Sequence, residues 1–197
     1  MAIHTQAIPN FDYNGVLPPH GANFPKSITS LSPYRATVLE FCQRFATTPY
    51  RVSLLKGYLG YRRWITQTAG VVDGVQWVDG SFVENTEIYK MRVPSDIDVL
   101  TFHALPRKMT DISEWNTFFE ENQNNFDPDW NKSNFFCHAF TINLAVQDAF
   151  SLIHQTKYWY GLFSHQRGSR LWKGMVEIPL ISNDADAANF LDSKEFT

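Results

Sequence analysis

The sequence predicts an α/β (α+β) domain: a short mixed β-sheet with helices packed on one face, preceded by an irregular N-terminal arm. Three observations carry that prediction. Apolar residues recur at helical spacing in Val38, Leu39, Phe41, Cys42 and Phe45, and again in Val52, Leu55, Tyr58, Leu59 and Ile65. Short aromatic and β-branched runs, at Trp77-Val78-Asp79, Asp96 to Phe102, Phe135 to Leu144 and Met175 to Leu180, read as strands. Many of the prolines fall within Met1 to Ser32, with Gly15 and Gly21 among them, so that stretch is extended and irregular. The expected division is an arm over 1–32 and one domain over 33–197.

The elements follow in order. The arm carries Ile8, Phe11, Val16, Leu17 and Phe24, apolar groups that a disordered tail lacks, so it wraps the domain surface. Ser32-Pro33 offers a cap and a first-turn proline for a helix ending near Thr47, and Thr48-Pro49 starts a second helix that runs to Gly70. That second helix carries Arg51, Lys56, Arg62 and Arg63, read either as phosphate ligands or as a solvated face. Val83 to Pro94 is a hairpin-like excursion whose Lys90 and Arg92 either reach a ligand or keep the loop hydrated. Asp111 caps a third helix leading into Trp115, Phe118 and Phe119. Asn122 to Ser133, rich in Asn and Asp, reads as a loop. Ala149 to Phe163 is a helix whose Trp159, Tyr160, Leu162 and Phe163 close an apolar wall, and Asp184 to Phe196 forms a short terminal helix.

The net charge of −3 excludes a global basic field of the kind that drives non-specific nucleic-acid binding. No apolar run approaches a bilayer-spanning length and no signal-like segment opens the chain. With Cys42 and Cys137 the only cysteines, a cytoplasmic location is the expectation, without a membrane partner. Cys137-His138 with His103, His154 and His165 matches none of the usual zinc-ligand spacings.

The chemistry concentrates at Gly80-Ser81 and Asp96-Ile97-Asp98-Val99. A glycine at the end of a strand lets the backbone approach a ligand closely. Along the next strand Asp96 and Asp98 point the same way while Ile97 and Val99 point into the core. Two adjacent carboxylates repel unless a cation sits between them or one takes a proton. Mg²⁺ (or Mn²⁺), held by one or two carboxylates together with substrate phosphates, answers that need. The alternative is a solvated polar strand face beside a plain turn.

This combination of a hydrophobic residue, Gly-Ser, a spacer and Asp-hydrophobic-Asp-hydrophobic resembles the signature of the nucleotidyltransferase superfamily that includes DNA polymerase beta. Asn14-Gly15-Val16-Leu17-Pro18-Pro19, Leu55 to Arg62, Trp77 to Val83, Pro94 to Val99 and Lys173-Gly174-Met175-Val176 are similar to a bacterial family of nucleotidyltransferase-like proteins, over about residues 8 to 180. The resemblance implies that Asp96 and Asp98 are catalytic and hold the metal. It implies that Gly80 and Ser81 hold the phosphates of a nucleoside triphosphate, and it places Arg167 and Lys173 near the active face as further phosphate contacts. A nucleotidyl group would pass to a hydroxyl on a protein, an RNA or a small molecule. A role in a toxin-antitoxin or phage-defence system, with a partner protein encoded nearby, is implied in the same way. The sequence departs from the pattern in one respect: such enzymes place a third carboxylate on a following strand, and no Asp or Glu lies between Asn131 and Gln147. His138, Asn143, Asp148 and Glu177 are the residues to weigh there. Its absence keeps a second reading open, a nucleotidyltransferase-like module that binds nucleotide or a partner without turnover.

Overall fold

A computed structural model describes residues 8–27 and 30–196; the parts of the expected arm at 1–7 and 28–29, and residue 197, lie outside the described residues. The strands are β1 (Tyr34–Arg35), β2 (Gly74–Asp79), β3 (Ile97–His103), β4 (Cys137–Asn143) and β5 (Val176–Pro179). They form one mixed sheet in the order β1-β5-β2-β3-β4, with β1·β5 and β3·β4 parallel and the central pairs antiparallel. The mixed α/β architecture expected from the sequence is therefore present.

The main helical layer covers one face. It comprises α1 (Val38–Phe45), α2 (Pro49–Arg63), α6 (Pro128–Phe135) and α8 (Asp184–Asp192). Alternation along the strands turns Val78, Ile97, Val99, Ala139, Val176 and Ile178 toward these helices, where they join Phe41, Leu55, Tyr58 and Leu191 in the larger core. On the other face Leu100, Phe102 and Ile142 meet Phe163 and Trp159 of α7 (Ala149–Phe163) in a smaller cluster. Among the described residues no helix is long and apolar enough to cross a membrane.

Local chemistry explains where the elements begin. Thr48 caps α2 with its side chain and Pro49 takes the first turn, where a missing N–H costs nothing. The first helix starts later than Ser32-Pro33 suggests. Thr37 and Glu40 form a reciprocal capping box, while Pro33 leads into the edge strand β1, a position compatible with its missing donor. Past Arg63 the chain continues as a π-helical turn, Trp64–Thr68, and stops at Gly70, whose φ is +71°. Most of residues 122–133 are helical rather than a loop, forming α5 (Gln123–Phe126) and the greater part of α6 after α4 (Ile112–Glu121). Asp127 accepts from the Trp130 N–H and Pro128 occupies the first turn, the same device that starts α2. The connection between the antiparallel neighbours β2 and β3 makes no hairpin-like excursion of its own: it is a 3₁₀ turn, Ser81–Val83, and one helical turn, α3 (Thr86–Tyr89).

Arg63 lies on the solvated face of α2, but Arg62 and Arg51 serve neither of the two expected purposes. Arg62 is fully buried and donates to Gln76 Oε1, the Asp184 carboxylate and the carbonyls of Pro179 and Leu180. Gln76 also accepts from Tyr58 Oη and donates to Thr101 Oγ1, its cross-strand partner, so a polar chain runs from α2 through β2 to β3. Arg51, equally enclosed, donates to the carbonyls of Phe82 and Glu84 and to both oxygens of Glu87. It ties the turn after Gly80 to α2. Lys56 makes a surface pair with Asp192.

Candidate functional site

Three strands end side by side at one edge of the sheet. The registers Asp79↔Asp98 and Asp98↔His138 place residues of β2, β3 and β4 in a row on the α7 face, and Asp96 lies just before β3 at the same end. They line a cleft of about 310 Å³ together with Gly80, Ser81, Lys90, Arg92, Lys132, Arg167 and Lys173. The structure thus brings every site residue expected from the sequence, Gly80, Ser81, Asp96, Asp98, Arg167 and Lys173, to one concavity.

Gly80 is the tightest point. Its φ of +83° is the conformation that favours glycine, and a Cβ there would run into the Asp98 carboxylate. The turn following β2 is thereby seated directly on one of the two aspartates. Asp98 faces His138, whose Nδ1 lies 3.4 Å from its Oδ1, and the hydrogen bond to Asp98 raises the imidazole above its ordinary value. Asp96 Oδ1 accepts from Ser95 Oγ, while its Oδ2 is 2.8 Å from Lys132 Nζ on α6. The bond to Asp96 likewise holds the Lys132 ammonium above its usual range.

A second cluster forms the cleft's inner wall, and sequence reading did not find it. Lys173 is 2 % exposed, which means its charge must be met inside the protein. Its Nζ lies 3.0 Å from Asp79 Oδ1, 3.0 Å from Glu84 Oε1 and 3.1 Å from the Gly80 carbonyl. The approach to Asp79 is an ion pair off the hydrogen-bond direction, so Oδ1 is left without a directed donor among the described residues. Burial pushes the Asp79 carboxyl up to about 7, with Lys173 opposing and Asp98 adding to the rise. Burial also works against Lys173, but Asp79 and Glu84 outweigh it and keep the ammonium raised. Glu84 is held below its usual value despite burial, because Lys173, Lys90 and Gln166 all approach it. Lys173 is therefore on the cleft wall but committed to three acceptors, whereas Arg167 and Arg92 line the cleft from exposed loop positions. The only sequence signal for the cluster was the unusual run Trp77-Val78-Asp79-Gly80, where a carboxylate stands at the inner end of an apolar strand.

The remaining candidates fall elsewhere. Asn143 ends β4 opposite His103, at the other end of the sheet. Asp148 caps α7 with its carboxylate, and Glu177 bonds Trp77 Nε1 and pairs with Arg35. His138 is thus the residue that stands beside Asp98 where a third carboxylate was sought. Cys137 is buried on the opposite face from His138, and no group of three or more His, Cys, Asp or Glu among the described residues could hold a metal ion. Asp96 and Asp98 nonetheless supply the hard oxygen donors that Mg²⁺ or Mn²⁺ takes, a pair that such ions complete with water and phosphate. The donor set fits the ion in chemistry.

The fold and cleft define an α/β protein with Asp79, Asp98 and His138 in a row at three strand ends, a glycine-dependent Gly-Ser turn above it and a basic rim. Residues 9–179 match the model of a family of unknown function, DUF6932, and the chain belongs to that family. No curated protein and no solved structure matches it.

Proposed function

We propose that the protein is a metal-dependent nucleotidyltransferase, moving a nucleoside monophosphate from a nucleoside triphosphate to a hydroxyl acceptor on a protein, an RNA or a small molecule. The observation that carries this reading is the seating of Gly80 on Asp98, with Asp96 beside it in the same cleft. In the reaction the acceptor hydroxyl releases its proton to water, its oxygen bonds to the α-phosphorus, the bond from the α-phosphorus to the oxygen shared with the β-phosphate breaks and pyrophosphate leaves. A bound Mg²⁺ or Mn²⁺ would neutralise phosphate charge and be held by Asp96 and Asp98. The chain's own part is positional. The Gly80-Ser81 turn lets phosphate oxygens approach backbone N–H groups, and Arg92 and Arg167 offer guanidinium forks to the outer phosphates. Arg51 and Lys173 hold the turn from behind.

A second reading, a module that binds nucleotide or a partner without turnover, is favoured by one specific observation. Both carboxylates already have partners from the chain, the Lys132 ammonium on Asp96 and the His138 imidazole beside Asp98. The raised imidazole keeps its proton to higher pH than a free one, which lowers the fraction of His138 able to take a proton from the acceptor hydroxyl. Incubation with each α-labelled nucleoside triphosphate and Mg²⁺ or Mn²⁺, with cell lysate and bulk transfer RNA as acceptors, separates the two. Label transfer by the wild type and not by Asp96→Ala/Asp98→Ala supports the enzyme. Calorimetric binding of nucleotide through the Asp pair with no transfer supports the module, and neither binding nor transfer overturns the enzyme and the nucleotide-binding form of the module alike.

A further inference from the structure

We propose that the chain pairs with a second copy of itself through α7, each copy laying this helix across the other's groove at the β4 edge of the sheet. This inference is independent of the cleft chemistry. It starts from a mismatch between composition and burial. Helix α7 is more apolar than any other helix of eight residues or more, yet of its 15 residues only Phe163 is buried. A helix apolar on most sides belongs in an interior. Here Phe150 is 77 % exposed, Ile153 61 % and Tyr158 60 %, and Leu144 and Val146 just before the helix are exposed as well.

The same edge carries a complementary surface. A groove of about 570 Å³ passes over β4, lined among others by Trp115 and Phe119 of α4, Phe140 of β4 and Trp159 at the inner side of α7. Since groove and helix flank the same strand, a two-fold axis at this edge brings each α7 onto the partner's groove and satisfies both at once. Charge selects a second copy as the occupant. Helix α7 contains Lys157 and His154 and no acidic residue, whereas α4 contains Glu114, Glu120 and Glu121 and no basic one. Lys157, Glu120 and Glu121 make no ion pair among the described residues, so each is available to the other copy. Within one chain the two sets are held apart by the groove; across the axis they meet.

Light scattering coupled to size exclusion, and sedimentation equilibrium over a range of concentrations, test this on the full chain. The expected mass is about twice the protomer's 22.7 kDa. Phe150→Glu with Ile153→Glu, both at exposed positions, is expected to raise the dissociation constant about a thousandfold, two interface anchors being worth roughly 2 kcal/mol each. Far-UV circular dichroism should stay unchanged. Lys157→Glu is expected to weaken the pair, and adding Glu120→Lys with Glu121→Lys to restore it. A monomer at all concentrations overturns the proposal and leaves α7 to a different protein, as does a dimer indifferent to the Phe150 and Ile153 changes.

Discussion

Replacing Lys173 with Met removes the ammonium that lies against Asp79, Glu84 and the Gly80 carbonyl at 3.0, 3.0 and 3.1 Å, leaving Glu84 with Lys90 but Asp79 without its counter-charge. Breaking a buried pair by deleting one partner costs about 3–5 kcal/mol, because the other charge stays behind without compensation. For a chain of this size that corresponds to a fall in Tm of roughly 6–20 °C. The loss should depend on pH, and the sign follows from Asp79. Its folded value of about 7 lies above the ordinary 3.8, so between those values the native chain holds a proton that the unfolded chain has released. Stability then falls as pH rises from about 4 to about 7, where in the wild type the fall ends. Without the ammonium the carboxyl is pushed further up, and in the variant the fall continues beyond pH 7, at up to about 1.4 kcal/mol per pH unit. His138, also raised, loses stabilisation as pH rises through its folded value, but it does so in both proteins and cancels in the difference. Thermal melts of the two proteins at pH 5.5 and 8.5 supply that difference. A gap below about 2 °C at pH 8.5, or one equal at both pH values, would refute the account of the wall as a buried charge cluster.

Gly80→Ala forces a Cβ into the Asp98 carboxylate at a backbone φ of +83°. Urea unfolding should show a loss of about 1–3 kcal/mol, and calorimetry a loss of nucleotide binding; wild-type values for both would contradict the close seating of the turn. Asp98→Asn removes the main cause of the raised His138 value, so the His138 ring resonances, followed by NMR through a pH titration, should titrate at lower pH than in the wild type. An unchanged midpoint would mean that the two side chains do not interact in solution.

Residues whose roles are local were legible in the sequence. Helix α7 begins and ends where composition places it, at Ala149 and Phe163, and Thr48-Pro49 announces α2 because a cap and a first-turn proline act within four residues. The Asp96/Asp98 pair was legible because alternation along a strand is local too. What escaped depended on pairing across the fold. Arg51 and Arg62 sit in a helix that reads as amphipathic, and only the carbonyls of distant segments, Phe82 and Glu84 for one and Pro179 and Leu180 for the other, explain their burial. Asp79, Glu84 and Lys173 meet over a separation of about ninety residues. Lys132 reaches Asp96 because α6 packs beside β4. That helix itself was masked by its Asn-rich composition, although Asp127-Pro128 repeats the opening of α2.

Two side chains that touch nothing in the cleft act as its gauge. Gln76 and Thr101 are bonded across β2 and β3 three positions from the pair Asp79 and Asp98, and Tyr58 and Arg62 clamp Gln76 from the helix behind. Sliding one strand by a single residue would strand these buried polar groups and rotate Asp98 to the opposite face. The alignment of the carboxylates is therefore calibrated from the dry side of the sheet. Length can change at the exposed residues 91–93 of the connection without disturbing that calibration. Within Gln76 to Asp79, or Asp98 to Thr101, it cannot.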